Sequence, residues 1–318
     1  MGFSLPNLSD PVLTGFLSAS MRLAAPIMLA ALGGMFSERS GVLNIGLEGM
    51  MLTGSLVGFA VGYFAGDLWL GSLAAAGAGA ALGLLLGFYV ITLAANQVIA
   101  GIALNLLAVG ATSFLYRAFF GVGTSQPRVE SFAPIKVQVL GDFPIVGPLL
   151  FQQGPLVYVT YGIVIVSGFA LFRTSFGLYV AAVGEHPQAA ETMGLDVGRL
   201  RYLCLAIGGA LAGLGGAFLS LSATGVFLDN MTAGRGYIAL AILILGRRRP
   251  FGILAASLLF GAADALQLRV QLLPFGIPFQ LLLALPYVLT IVVLAGFVRG
   301  AEAPAALGVP YRRDEEES

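Results

Sequence analysis

Apolar residues in this chain run in blocks of about twenty, separated by short polar knots, and a block of that length crosses roughly 30 Å of hydrocarbon at 1.5 Å per helical residue. Eight windows qualify: Val12 to Phe36, Leu47 to Ala65, Leu70 to Ala94, Val98 to Tyr116, Pro155 to Phe172, Tyr202 to Leu221, Phe251 to Leu268 and Leu281 to Val298. A ninth apolar stretch, Tyr237 to Gly246, is too short to span alone. The pattern predicts an all-α polytopic membrane protein with eight to ten crossings. Nine crossings result if Tyr237 to Gly246 crosses with help from the irregular residues before it, which puts the N-terminus outside. A tenth, broken crossing near Ser37 to Gly46 would return the N-terminus to the cytoplasm.

Composition narrows the class. Hydrophobic residues make up 58% of the 318 and charged residues only 10%, against about 25% charged in a soluble domain, and the mean hydropathy is +0.92. The 44 glycines lie inside apolar runs, where they permit close helix contact. Sixteen basic residues balance sixteen acidic ones, so there is no basic footprint for nucleic acid. The single cysteine, Cys204, excludes an internal disulfide and a cysteine-based metal cluster and reads as a small core residue. The first ten residues lack the basic region and cleavage site of a secretory signal.

Placement of the arginines sets the orientation. Nine of the sixteen basic residues lie in Arg173 to Arg201, in Arg247-Arg248-Arg249 and in the tail from Arg299 on, which places these segments in the cytoplasm. The connection Phe119 to Gly154 carries only Arg128 and Lys136 and is placed outside. The chain reads as one transmembrane domain over 1–298 and a cytoplasmic tail over 299–318, its Asp-Glu-Glu-Glu-Ser end solvated.

Two polar stretches stand out. Ala182 to Arg201, AVGEHPQAAETMGLDVGRLR, is too polar for lipid and predicts a short surface helix, with Pro187 in the first turn and Gly194 at the end. Ala189, Ala190 and Met193 are expected to share a face that fits a partner's groove. Phe36 to Gly54, FSERSGVLNIGLEGMMLTG, puts Glu38, Arg39, Asn44 and Glu48 between or inside apolar helices, where ionisable groups are costly and usually paired or functional. Asn96, Gln97 and Asn105 can read hydroxyls or base edges, although interhelical bonding is the commoner role. Arg22 and Asp264 form a candidate buried pair. His186 reads as a surface helix-start residue, and Trp69 and Tyr63 as interfacial anchors. No Walker loop is present, no nucleophile–base or metal constellation can be assembled, and no catalytic residue is assigned.

The first stretch resembles the coupling loop of bacterial ATP-binding-cassette importers through Gly184-Glu185, Ala189-Ala190 and Met193-Gly194. The second resembles the N-terminal signature of nucleoside and simple-sugar permeases in the branched-chain amino acid and ribose permease superfamily. The likeness continues through Ala95-Asn96-Gln97-Val98, Leu104-Asn105-Leu106-Leu107, Gly234-Arg235-Gly236-Tyr237 and Ile244-Leu245-Gly246. The chain is therefore identified as similar to the guanosine/nucleoside-type permeases, the smaller of two paired permeases.

The resemblance implies a type II importer fold, about ten helices in two pseudo-symmetric inverted halves, in a bacterial inner membrane. It implies coupling to an ATPase subunit through Gly184, Glu185, His186, Pro187, Ala189, Ala190, Met193 and Gly194. ATP and magnesium would be held on that subunit and no cofactor on this chain. A second permease and an extracellular solute-binding lipoprotein complete the implied assembly. Asn44, Glu48, Asn96, Gln97, Asn105, Arg235 and Tyr237 are the candidate translocation path. Ile45 to Phe59 and Ala233 to Gly246, each glycine-punctuated with a charge near its start, would be the two broken helices at a transport site. The competing reading is an ion-gradient-driven transporter or channel, with Glu48 and Asp264 on the ion route.

Overall fold

The computed structural model describes residues 11–121, 126–135, 151–271, 279–297 and 303–311. Among them all regular structure is helical: α1 (Pro11–Arg39), α2 (Leu47–Ala65), α3 (Leu68–Gly87), α4 (Gln97–Phe120), α5 (Pro155–Arg173), α6 (Ser175–Glu185), α7 (Pro187–Thr192), α8 (Val197–Ala217), α9 (Arg235–Leu245), α10 (Pro250–Val270), α11 (Phe279–Leu283) and α12 (Leu285–Phe297). Helix α3 is prolonged by a π-helical turn, Phe88–Thr92, and α8 by another, Phe218–Thr224. Each apolar window corresponds to a helix, and the last to the α11–α12 pair.

Seven helices are long and apolar enough to cross a membrane, and two shorter apolar helices, Arg235–Leu245 and Gln280–Val292, accompany them. The seven long helices are the candidate crossings among the described residues, and the two shorter ones fall below that length. Ser37 to Gly46 supplies no broken crossing: α1 continues to Arg39, and the amides of Ser40, Gly41 and Val42 close its last turn onto Ser37 and Glu38. Successive passes alternate in direction. One end collects Arg39, Glu185 and Arg247 to Arg249 around a shared cavity. The opposite end collects aromatic rings, Tyr63, Phe64, Tyr116 and Phe120, within about 5 to 6 Å of one another. Residues 1–10, 136–150 and 312–318, including Lys136 and the acidic end, lie outside the described residues.

Helix α8 is the axis of the bundle, and glycine is the reason. A Cβ added at Gly54 of α2 would strike the backbone of Gly213, one at Gly79 or Gly83 of α3 the carbonyls of Gly209 and Leu205, and one at Gly33 of α1 the carbonyl of Gly208. Three neighbours therefore approach α8 backbone to backbone. In lipid, where helix association relies on close packing rather than on exclusion of water, such small-residue seams hold a bundle together. Cys204 lies fully buried in this core, as expected from its apolar surroundings.

Candidate functional site

Helix α9 has 11 residues, about 16 Å at 1.5 Å per residue. Its C-terminus lies at the arginine-rich end, so its N-terminus reaches about half the thickness of the hydrocarbon. There it meets the N-terminus of α2 running the opposite way. A Cβ on Gly236 would collide with the backbone of Glu48, so the first turns of the two helices touch. This is the inverted arrangement expected of two broken helices.

Glu48 joins them. Its Oε1 accepts from the Thr232 hydroxyl at 2.6 Å and the Gly234 amide at 2.8 Å, and its Oε2 accepts from the Gly236 amide at 2.6 Å. The carboxylate thus caps α9, whose first N–H groups have no intrahelical partner and carry the positive end of the helix dipole. Left-handed φ at Ala233 (47°) and Gly234 (81°) makes the sharp turn into α9. Asn105 of α4 ties the same junction from the side. Its Oδ1 accepts from the Gly49 amide at 2.8 Å, and its Nδ2 donates to the Ile45 carbonyl at 3.0 Å and to the Tyr237 hydroxyl at 2.9 Å. Below it the Gln97 Oε1 accepts from the Leu43 amide at 2.7 Å, and the Asn44 Oδ1 accepts from the Gly46 amide at 3.1 Å.

Asn44, Glu48, Gln97 and Asn105 are all buried and bonded largely to backbone groups, so they hold the chain breaks around α2 and α9 in shape. Asn96 is exposed and caps α4 through the Val98 and Ile99 amides. Tyr237 alone of the group is both tied to the junction and open, at 47% exposure. Arg235 is half-buried and donates to the carbonyls of Met231 and Thr232. Two groups escaped the sequence reading. Thr232 belongs to the Glu48 cap, and Tyr287 of α12 donates to the Ala233 carbonyl at 2.9 Å. The only sequence signal for Thr232 was its place two residues before a glycine at the start of an apolar helix. Arg22 is exposed, and no ion pair joins it to Asp264.

At the arginine-rich end, α7 is the short helix expected within Ala182 to Arg201, with Pro187 at its first turn and Gly194 at φ 86° after it, and α6 leads into it. One detail is corrected. Ala190 does not share an open face with Ala189 and Met193: one residue on from Ala189 turns it by about 100°, and it packs with Val183 and Val197. The open face consists of His186, Gln188, Ala189, Thr192 and Met193, the last 83% exposed. A Cβ on Gly184 would strike the Arg39 carbonyl, which fastens this loop to the end of α1.

Residues 303–311 of the tail are docked there. The Ala306 amide donates to the Gly184 carbonyl at 3.0 Å, the Gly308 amide to the Gly41 carbonyl at 3.1 Å and the Ala305 amide to Glu185 Oε2 at 3.1 Å. The Tyr311 hydroxyl donates to Glu191. Nearby, Arg248 and Glu38 form a buried ion pair at 2.7 Å, and Arg201 donates to the Ser40 carbonyl at 3.1 Å.

Residues 16–297 match the family described as branched-chain amino acid transport system / permease component. The chain belongs to this permease family. Within the permeases, it is 41% identical over 94% of its length to the guanosine ABC transporter permease protein NupQ of Bacillus subtilis (strain 168), covering 97% of that protein. It is 38% identical over 94% of its length to the putative glucose ABC transporter permease protein TsgC13 of Haloferax volcanii, covering 98% of it. It is 35% identical over 91% of its length to the nucleoside ABC transporter permease protein NupC of Lactococcus lactis subsp. cremoris, covering 93%. No solved structure matches. For a permease, the junction at Glu48 is the arrangement of interest: irregular backbone at mid-depth is tolerated only where protein buries it or a cavity lies beside it.

Proposed function

We propose that this permease is the membrane subunit of an ATP-driven importer that moves nucleosides or related small polar solutes into the cell by alternating access. The observation that carries the reading is α7. A six-residue helix stands at the arginine-rich end, held to α1 by Gly184 and to residues 303–311, with an open face ending in a bare methionine. A solitary transporter has no work for such a knob, whereas a separate ATPase needs one to grip. In this reading ATP and magnesium stay on the ATPase, a second permease completes the path, and an extracellular lipoprotein delivers the solute. The substrate class is supported by the names of the guanosine and nucleoside relatives. It is supported also by Tyr237 and Tyr287, both exposed, whose rings suit a planar base beside carbonyls that suit hydroxyls.

Ala189→Trp tests the docking. Ala189 is open, so the fold should tolerate bulk, while a clash in a packed interface costs about 1–3 kcal/mol, roughly five- to 150-fold in association. Co-purification of the ATPase and substrate-stimulated hydrolysis should fall by that factor with thermal unfolding of the permease unchanged. Ala190→Trp should do the opposite, lowering thermal stability by opening the Val183–Val197 core. Full assembly and coupled hydrolysis in a well-expressed Ala189→Trp protein would return the balance to an ion-gradient-driven transporter. Tyr237→Phe tests the path. It removes one neutral hydrogen bond, worth about 1 kcal/mol, while Asn105 keeps its bond to Ile45. Uptake in proteoliposomes should fall several-fold at low solute concentration with little change in unfolding temperature; unchanged uptake would take Tyr237 out of the path.

A further inference from the structure

The geometry points to a binding site for an anionic phospholipid at the arginine-rich end, between α5 and the α9–α10 turn. Two cavities meet there. One is a groove of about 740 Å³ whose walls are Ile165, Phe169 and Phe172 of α5 and Phe251 of α10. These side chains are at least 47% exposed and belong to membrane-crossing helices, so the groove opens where acyl chains lie. The other is a polar cavity of about 290 Å³ lined by Arg39, Glu185, Arg247, Arg248 and Arg249. Arg247 and Arg249 line both, and Arg173 stands on the rim of the groove. The pair has the build of a headgroup pocket above a chain slot.

Charge decides what fits. Four arginines face the polar cavity against two glutamates, Glu185 and the Glu38 that pairs with Arg248. Among the described residues no carboxylate pairs with Arg173, Arg247 or Arg249. Helix α10 begins at Pro250, so the positive end of its dipole adds to the same spot. The backbone is bent to present these groups: Arg247 and Arg248 both have left-handed φ, 53° and 52°, which non-glycine residues adopt uncommonly and at some strain. Gly246 and Gly252 make the turn that tight, since a Cβ on either would strike the other's backbone. Basic pockets of this kind between membrane helices on the cytoplasmic side suit phosphate headgroups. The apolar groove beneath selects a diacyl phosphate over a free anion.

The site is tested on the full-length protein by native mass spectrometry with phosphatidylglycerol and phosphatidylcholine of matched chains, with inorganic phosphate as competitor. Each arginine near the surface is worth roughly fivefold in affinity for an anionic lipid, so the wild type should prefer phosphatidylglycerol by tenfold or more. Arg247→Asn with Arg249→Gln, the asparagine chosen because it tolerates left-handed φ, should bring the two lipids close to parity. Gly168→Phe should weaken both lipids, because an added Cβ there meets only the Phe251 ring at 3.6 Å and a longer side chain fills the groove. Millimolar phosphate should not compete. If the double variant unfolds in phosphatidylcholine nanodiscs, Arg173→Gln alone should still cut the preference about fivefold. Equal binding of both lipids by the wild type, a preference surviving these arginine substitutions, or displacement by phosphate alone each overturns the proposal. So does a crosslink from Phe169→Cys to a partner subunit, which would show protein in the groove.

Discussion

Glu48→Gln is expected to unseat α9 and abolish solute uptake. The carboxylate accepts three hydrogen bonds, two of them from the amides that open α9. A glutamine keeps one acceptor oxygen and turns an NH₂ toward a donor that must then go unpaired in a buried place. Losing a bond to a charged group and leaving its partner unsatisfied together cost about 2–4 kcal/mol. Helix α9 has only 11 residues, and its N-cap residue, Gly234, has no side chain to take over the cap. Thermal unfolding of the purified protein should fall by several degrees, and uptake in proteoliposomes should be lost even at temperatures where the variant remains folded. Glu48→Asp, which keeps both oxygens but draws them back by one methylene, should lie between. Wild-type unfolding and uptake in the glutamine variant would mean that the α2–α9 junction does not depend on this cap.

Gly54→Val should be as damaging by a different route. The new Cβ would meet the carbonyl oxygen, Cα and carbonyl carbon of Gly213. All are backbone atoms in the middle of α8, so no flexible side chain can yield. Overpacking usually costs 1–3 kcal/mol, occasionally more; with backbone on both sides of the seam about 3 kcal/mol or more is expected. The readout is the yield of folded protein after detergent extraction and its unfolding temperature. Gly77→Val provides the contrast, since nothing lies within 4 Å of a Cβ there and only a helix-propensity difference of a few tenths of a kcal/mol is anticipated.

Helix existence was legible because a membrane leaves so little choice: a block of twenty apolar residues can only be a span, and window and helix coincide at Leu47–Ala65. The polar interruptions at Glu48, Asn105 and Tyr237 were legible as a site because such residues are rare in apolar helices, and the fold does gather them. Their roles were not. Whether Asn105 faces a solute or a peptide bond depends on which neighbour arrives at α4, and Ile45 and Gly49 come from the turn before α2 and from α2 itself, 56 to 60 residues away. Ala190 was misjudged for a local reason, since a six-residue helix offers too few positions for periodicity to separate its inner face from its outer one. The docking of 303–311 was hard to see, because two of its hydrogen bonds join backbone groups that every residue possesses and the others reach Glu185 and Glu191 some 120 residues away.

That docking has a consequence for biogenesis. Residues 303–311 leave the ribosome after every helix of the bundle, yet they hydrogen-bond to Gly184 and Gly41, made long before. The surface around α7 is therefore finished only when translation has passed the last crossing. A nascent permease with α6 and α7 already exposed would still lack the support of Ala305, Ala306 and Tyr311, so a soluble partner arriving early would meet an unfinished seat. If a partner docks on α7, as proposed, its full seat exists only after the last helix has been made.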